Sequence, residues 1–303
     1  ISIYKVFKNL VSSYNPDGIY SSLEKSNFLT SLIKFEGRKV MSVHNVLSIQ
    51  YLKIKNKMIR TLWYNVIKYI YNRCDKVVAV SCQVSDDLVN NFGIKKTQIQ
   101  VVNNYVDGEE IASKSNEQVD DFFFDKNLFY IFNIGRFSNQ KAHWRLLKSF
   151  SYLLSRQPNK NIRLILMGNG EYELQMHKLA KDLNLSDKVC FLPFNKNPYK
   201  YLRNADMFVL SSNFEGFPIV LAESSSLRIP FVGTRKSVPI EMFHDVAFYS
   251  KCVCDVVDVK ENFTSEITKD DVSLGEVMFR MVNDDSMRES FYRNVKIMEG
   301  KNN

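Results

Sequence analysis

Glu215 and Glu223 stand eight positions apart in Glu215-Gly-Phe-Pro-Ile-Val-Leu-Ala-Glu223, with a glycine–proline turn between them. The apolar run at 206–211 before this stretch predicts a buried parallel strand, and 219–226 predicts a helix. Strand, tight loop and helix form the unit from which open α/β sheets build ligand sites at strand ends. Glu215 then sits on the loop and Glu223 about two turns into the helix. A helix start offers free N–H groups and the positive end of a dipole, so an anion is welcome between the two carboxylates. One carboxylate reaching a sugar, a second reaching a ribose and a phosphate held by backbone make a nucleotide-sugar site. Taken alone, the stretch is more often a strand–loop–helix with two solvated glutamates.

A second cluster follows the strand predicted at 128–134, in Asn133-Ile-Gly-Arg-Phe-Ser-Asn-Gln-Lys141. Gly135 can adopt a strained strand-end turn. Arg136 and Lys141 flank the start of a helix predicted at 142–154. Two such cations suit a diphosphate, the arginine through its planar fork and the lysine as a mobile point charge. Basic residues after a strand are otherwise mostly solvated. Gly168-Asn-Gly170 closes a strand at 163–167, and Pro193-Phe194 ends another at 188–192. Four strand ends of one parallel sheet thus carry turn chemistry on the same rim.

These residues together resemble family 4 of the glycosyltransferases, the large retaining group with the GT-B architecture. The carriers are Gly135-Arg136 with Lys141, Gly168-Asn-Gly170, Val189-Cys-Phe-Leu-Pro193, Leu202-Arg-Asn-Ala-Asp206 and the Glu215 to Glu223 stretch. Upstream, Asn15-Pro-Asp-Gly-Ile-Tyr20, Val40-Met-Ser-Val-His-Asn45, Asp75-Lys-Val-Val-Ala-Val-Ser81 and Ile99-Gln-Val-Val-Asn-Asn-Tyr-Val-Asp107 are similar to strands of the family's first domain. The resemblance covers nearly the whole chain in the right order. It departs from the family at Tyr20-Ser-Ser22, where a histidine is common, at Ala142, where glycine is common, and at Leu227-Arg228. It also implies that the first βα units of the N-terminal domain are missing from the numbering.

The fold so implied is α/β: two Rossmann-like domains facing across a cleft. Residues 1–107 form the acceptor- and membrane-facing half and 127–303 the nucleotide-sugar half with a C-terminal helix. Segment 108–126 is polar and aperiodic at its start, and reads as a linker. The resemblance implies a nucleotide sugar, UDP-linked, as substrate, with a hexose or N-acetylhexosamine moved onto a lipid-linked glycan, a polyprenyl-diphosphate saccharide of O-antigen or capsule assembly. In that reading Arg136 and Lys141 stabilise the leaving diphosphate, helped by helix N–H groups at Ile219 and Val220. Glu215, with Gly216 and Phe217 beside it, holds the reacting sugar. Glu223 accepts from the ribose, and backbone from Cys190 to Phe194 meets the base. His44, at a strand end of the first half, is the candidate on the acceptor side, although a lone histidine is more often structural. A UDP-sugar 2-epimerase shares this architecture but needs acid–base residues not located here. A non-catalytic partner of a glycan-assembly complex would not need both glutamates.

Composition agrees with two domains: 303 residues, 45% of them hydrophobic. No run approaches the ~18 apolar residues of a spanning helix. Five cysteines without paired metal-ligand spacing predict reduced, cytosolic thiols, and Cys252-Val-Cys254 is seldom half of a metal site. The four histidines form no H-x-x-x-H pattern and no Asp-x-Asp occurs, so no metal or other cofactor is expected. The formal charge of +8 is uneven, with ten basic residues against Glu36 and Asp75 between Lys34 and Lys76. A helix is expected over 51–71, where Lys53, Lys55, Lys57 and Arg60 alternate with Trp63, Tyr64 and Tyr69. It suits an anionic membrane surface, or else a core helix with a solvated basic face. The resemblance favours the membrane, hence a peripheral protein on the inner face of the cytoplasmic membrane. No nucleic-acid-binding motif accompanies the charge.

Overall fold

The computed structural model of the chain describes residues 3–52, 54 and 56–299. Two compact units divide between Asn104 and Tyr105. In the first, α1 (Ile3–Tyr14) leads into β1 (Gly18–Ser22), α2 (Glu24–Leu32), β2 (Arg38–Val43), α3 (Leu47–Tyr51) and α4 (Lys57–Tyr71). β3 (Lys76–Ala79), α5 (Cys82–Phe92) and β4 (Ile99–Val101) complete it. Its four strands are parallel and lie in sequence order, β1-β2-β3-β4. Met41, Val43, Val77 and Ala79 are fully buried, and Ile67, Ile70 and Tyr71 of α4 are buried with them.

The second unit begins with α6 (Gly108–Ser115) and β5 (Phe129–Ile134), α7 (His143–Arg156) and β6 (Ile162–Met167). α8 (Glu173–Asp182), β7 (Val189–Leu192), α9 (Tyr199–Leu202), β8 (Met207–Leu210) and α10 (Ile219–Ser226) follow. β9 (Phe231–Thr234), α11 (Val246–Cys252), β10 (Val253–Cys254), α12 (Lys269–Asn283) and α13 (Asp285–Asn294) end it. The six strands are parallel in the order β10-β9-β8-β5-β6-β7. Such strands are covered on both faces and therefore read as continuous apolar runs. Every residue of β8 and β9 is buried, as are Ile131, Phe132, Leu164, Ile165 and Leu166. Truncating a side chain such as Phe132 to alanine costs about 3–5 kcal/mol. The strand order reverses between β5 and β8, and that reversal opens a crevice at the carboxyl ends of the strands.

Two sequence expectations are corrected. The linker expected over 108–126 begins with α6 (Gly108–Ser115), and only 116–126 is irregular. Asp107 caps α6 by accepting from the Glu110 N–H, and Ile111 and Ser115 are its buried residues. The helix expected over 51–71 is two helices. Tyr51 closes α3, and α4 starts at Lys57, where the Asn56 side chain accepts from the N–H groups of Met58 and Ile59. Asparagine competes for local backbone and so makes a good N-cap. Lys53 and Lys55 lie outside the described residues.

Candidate active site

β5 and β8 are neighbours at the reversal of the second sheet, and the loops that follow them converge. Lys141, from the loop after β5, donates from Nζ to Glu215 Oε1 at 2.7 Å, from the loop after β8. Residues 74 positions apart are thus joined by the topology. Ser212 Oγ donates to the same oxygen at 2.7 Å, and Gln140 Nε2 donates to Oε2 at 3.2 Å. Glu215 is 7% exposed. A carboxylate so buried is tolerable only with partners on both oxygens, and these three donors supply them.

The β8 loop is itself fixed from below. Arg145, buried on α7, donates from one NH1 to the Ser211 carbonyl and to Asn213 Oδ1, both at 2.9 Å. Asn213 N–H donates to the Gln140 carbonyl at 2.8 Å, and Thr234 Oγ1 to the Ser212 carbonyl at 2.6 Å. Residues 211–218 are all buried, so the loop that carries Glu215 is a packed part of the core.

The β5 loop is shaped by close backbone approach. Gly168, at φ +144°, lies where a Cβ would stand 2.2 Å from the Gly135 carbonyl oxygen. A Cβ on Gly170 would meet the Phe137 backbone at 2.5 Å. These glycines let the two loops share hydrogen bonds, Phe137 N–H to the Asn169 carbonyl at 3.0 Å and Tyr172 N–H to the Phe137 carbonyl at 3.1 Å. Ala142 takes the left-handed conformation, φ 46°, immediately before α7. That backbone favours glycine, which explains why alanine here is a departure. The next residue, His143, is buried and pairs through Nε2 with Asn133 Oδ1 at 2.8 Å. Burial, reinforced by the Lys141 charge, pushes its imidazole down to about 3.

Arg136 is exposed and donates to Glu171 Oε2 at 2.8 Å. Both expected cations therefore stand at the turn after β5, each held by a carboxylate. Glu223, on α10, accepts from the Tyr199 hydroxyl at 2.8 Å. Burial raises its carboxyl pKa, opposed by the Tyr199 hydrogen bond. Gly216 and Phe217 are buried before α10, whose first residue, Ile219, is exposed, with Val220 half-buried. Pro218 caps α10 without a side-chain hydrogen bond, so its first-turn N–H groups lack a side-chain cap. Cys190 is half-buried on β7 and Phe194 is exposed beyond it. His44 belongs to the first unit, at the carboxyl end of β2, within 2.8 Å of Ser42 Oγ through Nε2. Burial lowers its pKa, with Glu24 acting in the opposite sense.

Sequence reasoning missed Gln140, Ser212, Glu171 and Tyr199. Gln140 adjoins Lys141 and Ser212 directly follows the strand predicted at 206–211, so position flagged both. Glu171 and Tyr199 carried no signal, since each meets its partner only through the sheet's topology. Cys252 and Cys254 are buried, and burial pushes both thiols up to about 12.

Residues 114–269 match the family model described as glycosyl transferases group 1, and residues 1–110 the model described as glycosyltransferase family 4. An uncharacterized glycosyltransferase of Methanocaldococcus jannaschii is 27% identical over 74% of this chain. The N-acetylgalactosamine-N,N'-diacetylbacillosaminyl-diphospho-undecaprenol 4-alpha-N-acetylgalactosaminyltransferase of Campylobacter jejuni is 30% identical over 80%. The chain spans 59% and 64% of the length of these two relatives. In fold it is similar to Anabaena HepE, solved in complex with UDP and glucose, with a TM-score of 0.71 and 17% identity. That likeness covers 95% of this chain and 74% of the other, and the architecture is that of the GT-B structures.

Proposed function

Because this chain belongs to the group 1 glycosyl transferases, we propose that it moves a hexose or N-acetylhexosamine from a UDP-sugar to a lipid-linked glycan, with retention and without a metal. The observation that carries the reading is the junction of Lys141 and Glu215 at the strand reversal, beside the α10 start. A diphosphate leaving group gains negative charge in the transition state. Arg136, Lys141 and the N–H groups at Ile219 and Val220 are donors for that charge. Glu215 is the anion for the reacting sugar, whose anomeric carbon becomes positive as the bond to the diphosphate breaks. Glu223 takes the ribose, backbone from Cys190 to Phe194 takes the base, and Gly216 and Phe217 add to the nucleotide site. His44 serves the acceptor. Among the described residues no three His, Cys, Asp or Glu side chains cluster to hold a metal ion. The Campylobacter relative's name includes an undecaprenol diphosphate, which supports a polyprenyl-diphosphate acceptor here. Assembly of O-antigen or a related polysaccharide, at the inner face of the cytoplasmic membrane, follows from such an acceptor. No described helix is long and apolar enough to cross a membrane, and α4 is the element proposed to rest on it.

The test is transfer by the purified chain from a panel of nucleotide sugars to a prenyl-diphosphate-linked saccharide, with and without EDTA. UDP-sugars should be used, and the product should keep the donor's α configuration by NMR. Absence of transfer from every donor refutes the reading. A β-linked product removes retention from it, and activity lost to EDTA and restored by magnesium or manganese removes metal independence.

A further inference from the structure

Tyr199 is the first residue of α9, and its hydroxyl donates to Glu223 Oε1 at 2.8 Å, 24 positions away on α10. The phenol is held in place from α6. Asn197 Oδ1 accepts from the Tyr199 N–H at 3.2 Å, and the Asn197 amide nitrogen donates to the Lys114 carbonyl at 2.8 Å, near the end of α6. Arg203, just past α9, donates to the Ser115 carbonyl at 2.9 Å and to Asn116 Oδ1 at 2.8 Å. α9 is thus clamped on both sides, and the clamp sets where the hydroxyl stands. Burial, the charge and hydrogen bond of Glu223, and the charge of Glu110 on α6 all raise the pKa of the phenol, so it keeps its proton and acts as the donor.

Glu223 depends on that donor. It is half-buried, and its side chain turns about several bonds unless something fixes it. Burial disfavours its charged form, while the Tyr199 hydrogen bond favours it. An ionised carboxylate accepts through about four lone pairs, so with one taken by Tyr199 the group can still accept from the two vicinal hydroxyls of a ribose. We infer that Tyr199 is a positioning residue that locks Glu223, before a nucleotide arrives, in the orientation that accepts from both ribose hydroxyls. The inference rests on the ribose role proposed for Glu223 and adds how its geometry is fixed. A carboxylate ordered in advance loses little side-chain freedom on binding, so more of its hydrogen bonding appears as affinity. A brace between α9 and α10 that served folding alone would act on every nucleotide alike. A group that orients Glu223 acts only on nucleotides with hydroxyls to offer.

Calorimetry of the full chain with UDP and with 2′,3′-dideoxy-UDP separates the two. The wild-type protein should prefer UDP by at least about tenfold, because hydrogen bonds to a charged group are lost with the hydroxyls. Tyr199→Phe keeps the ring and its packing. It should weaken UDP by at least about fivefold and change 2′,3′-dideoxy-UDP by less than about twofold. In a Glu223→Ala background the same change should alter UDP affinity by less than about twofold, since the group it orients is gone. Equal weakening of both nucleotides overturns the inference, as does a loss that persists in the Glu223→Ala background. A preference for UDP that Tyr199→Phe leaves intact and Glu223→Ala removes also overturns it, with the ribose role of Glu223 standing. A preference that survives Glu223→Ala refutes the ribose role and the inference together. Preference lost in Tyr199→Phe, in a protein that transfers sugar from no donor, refutes the proposed reaction and leaves Tyr199 assigned.

Discussion

Changing Lys141 to methionine removes the cation that donates to Glu215 Oε1 while keeping most of the side chain's volume. Glu215 would retain its bonds from Ser212 at 2.7 Å and Gln140 at 3.2 Å, so the carboxylate is weakened but not abandoned. A hydrogen bond to a charged group contributes about 1.5–3 kcal/mol. The lysine side chain keeps 22% of its surface exposed against 9% for the glutamate. Solvent at the lysine end screens the pair, which reduces the coupling to about 1–2 kcal/mol. A double-mutant cycle isolates it: wild type, Lys141→Met, Glu215→Gln and the pair, each unfolded in urea with unchanged m-values. The double mutant should be less destabilised than the sum of the singles by that amount. Raising the salt to 1 M should reduce the coupling only slightly, because the glutamate end is shielded from ions. Additivity within about 0.5 kcal/mol would refute the claim that the two loops are locked together by this pair.

Glu215→Gln should lower kcat more than it alters UDP affinity, whereas Glu223→Ala should raise the donor KM and weaken UDP by about 1–3 kcal/mol; steady-state kinetics with calorimetry would expose an inverted assignment. His143 has its folded pKa depressed to about 3, from 6.5. The unfolded chain therefore binds the extra proton as pH falls below 6.5, and stability is lost on the acid side: about 2 kcal/mol between pH 6.5 and 5. Urea midpoints in His143→Asn should depend less on pH over that interval. Ala142→Gly should change stability by less than about 1 kcal/mol, since relief of the left-handed backbone offsets a lost buried methyl, while Ala142→Val should be clearly destabilising in thermal unfolding. Sedimentation with anionic vesicles should be lost at high salt, and at lower salt in Lys57→Gln/Arg60→Gln, if cations of α4 hold the chain to lipid; indifference to both would count against electrostatic attachment.

The helix 219–226 was legible to the residue, as a glycine–proline turn starts it and an apolar run fills it. Four of the six strands of the second sheet, β5 to β8, were legible within a residue or so, because burial on both faces leaves unbroken apolar runs, while β9 and β10 were not read. α6 was hidden: it is a short helix whose buried residues are Ile111 and Ser115, too few for a periodic signal. The break between α3 and α4 was hidden by lysines, which belong equally to a helix face and to a loop. In the site, the types at Arg136, Lys141, Glu215 and Glu223 were readable because each follows a strand end. Their partners were not. Glu171 and Tyr199 reach Arg136 and Glu223 across 35 and 24 positions, and no local spacing rule spans a crossover between parallel strands.

The Lys141–Glu215 pair also bears on which anions can enter. The Lys141 ammonium is already paired with a carboxylate of the same chain, so an anion that takes it must displace Glu215. Displacing Glu215 from Lys141 requires a guest that brings several groups at once, so that binding elsewhere on it compensates for the broken pair. A nucleoside diphosphate joined to a sugar meets that demand, because the freed carboxylate then finds hydroxyl donors on the same molecule. Under the proposed function, the internal carboxylate would act as a gatekeeper that favours the nucleotide sugar over small anions.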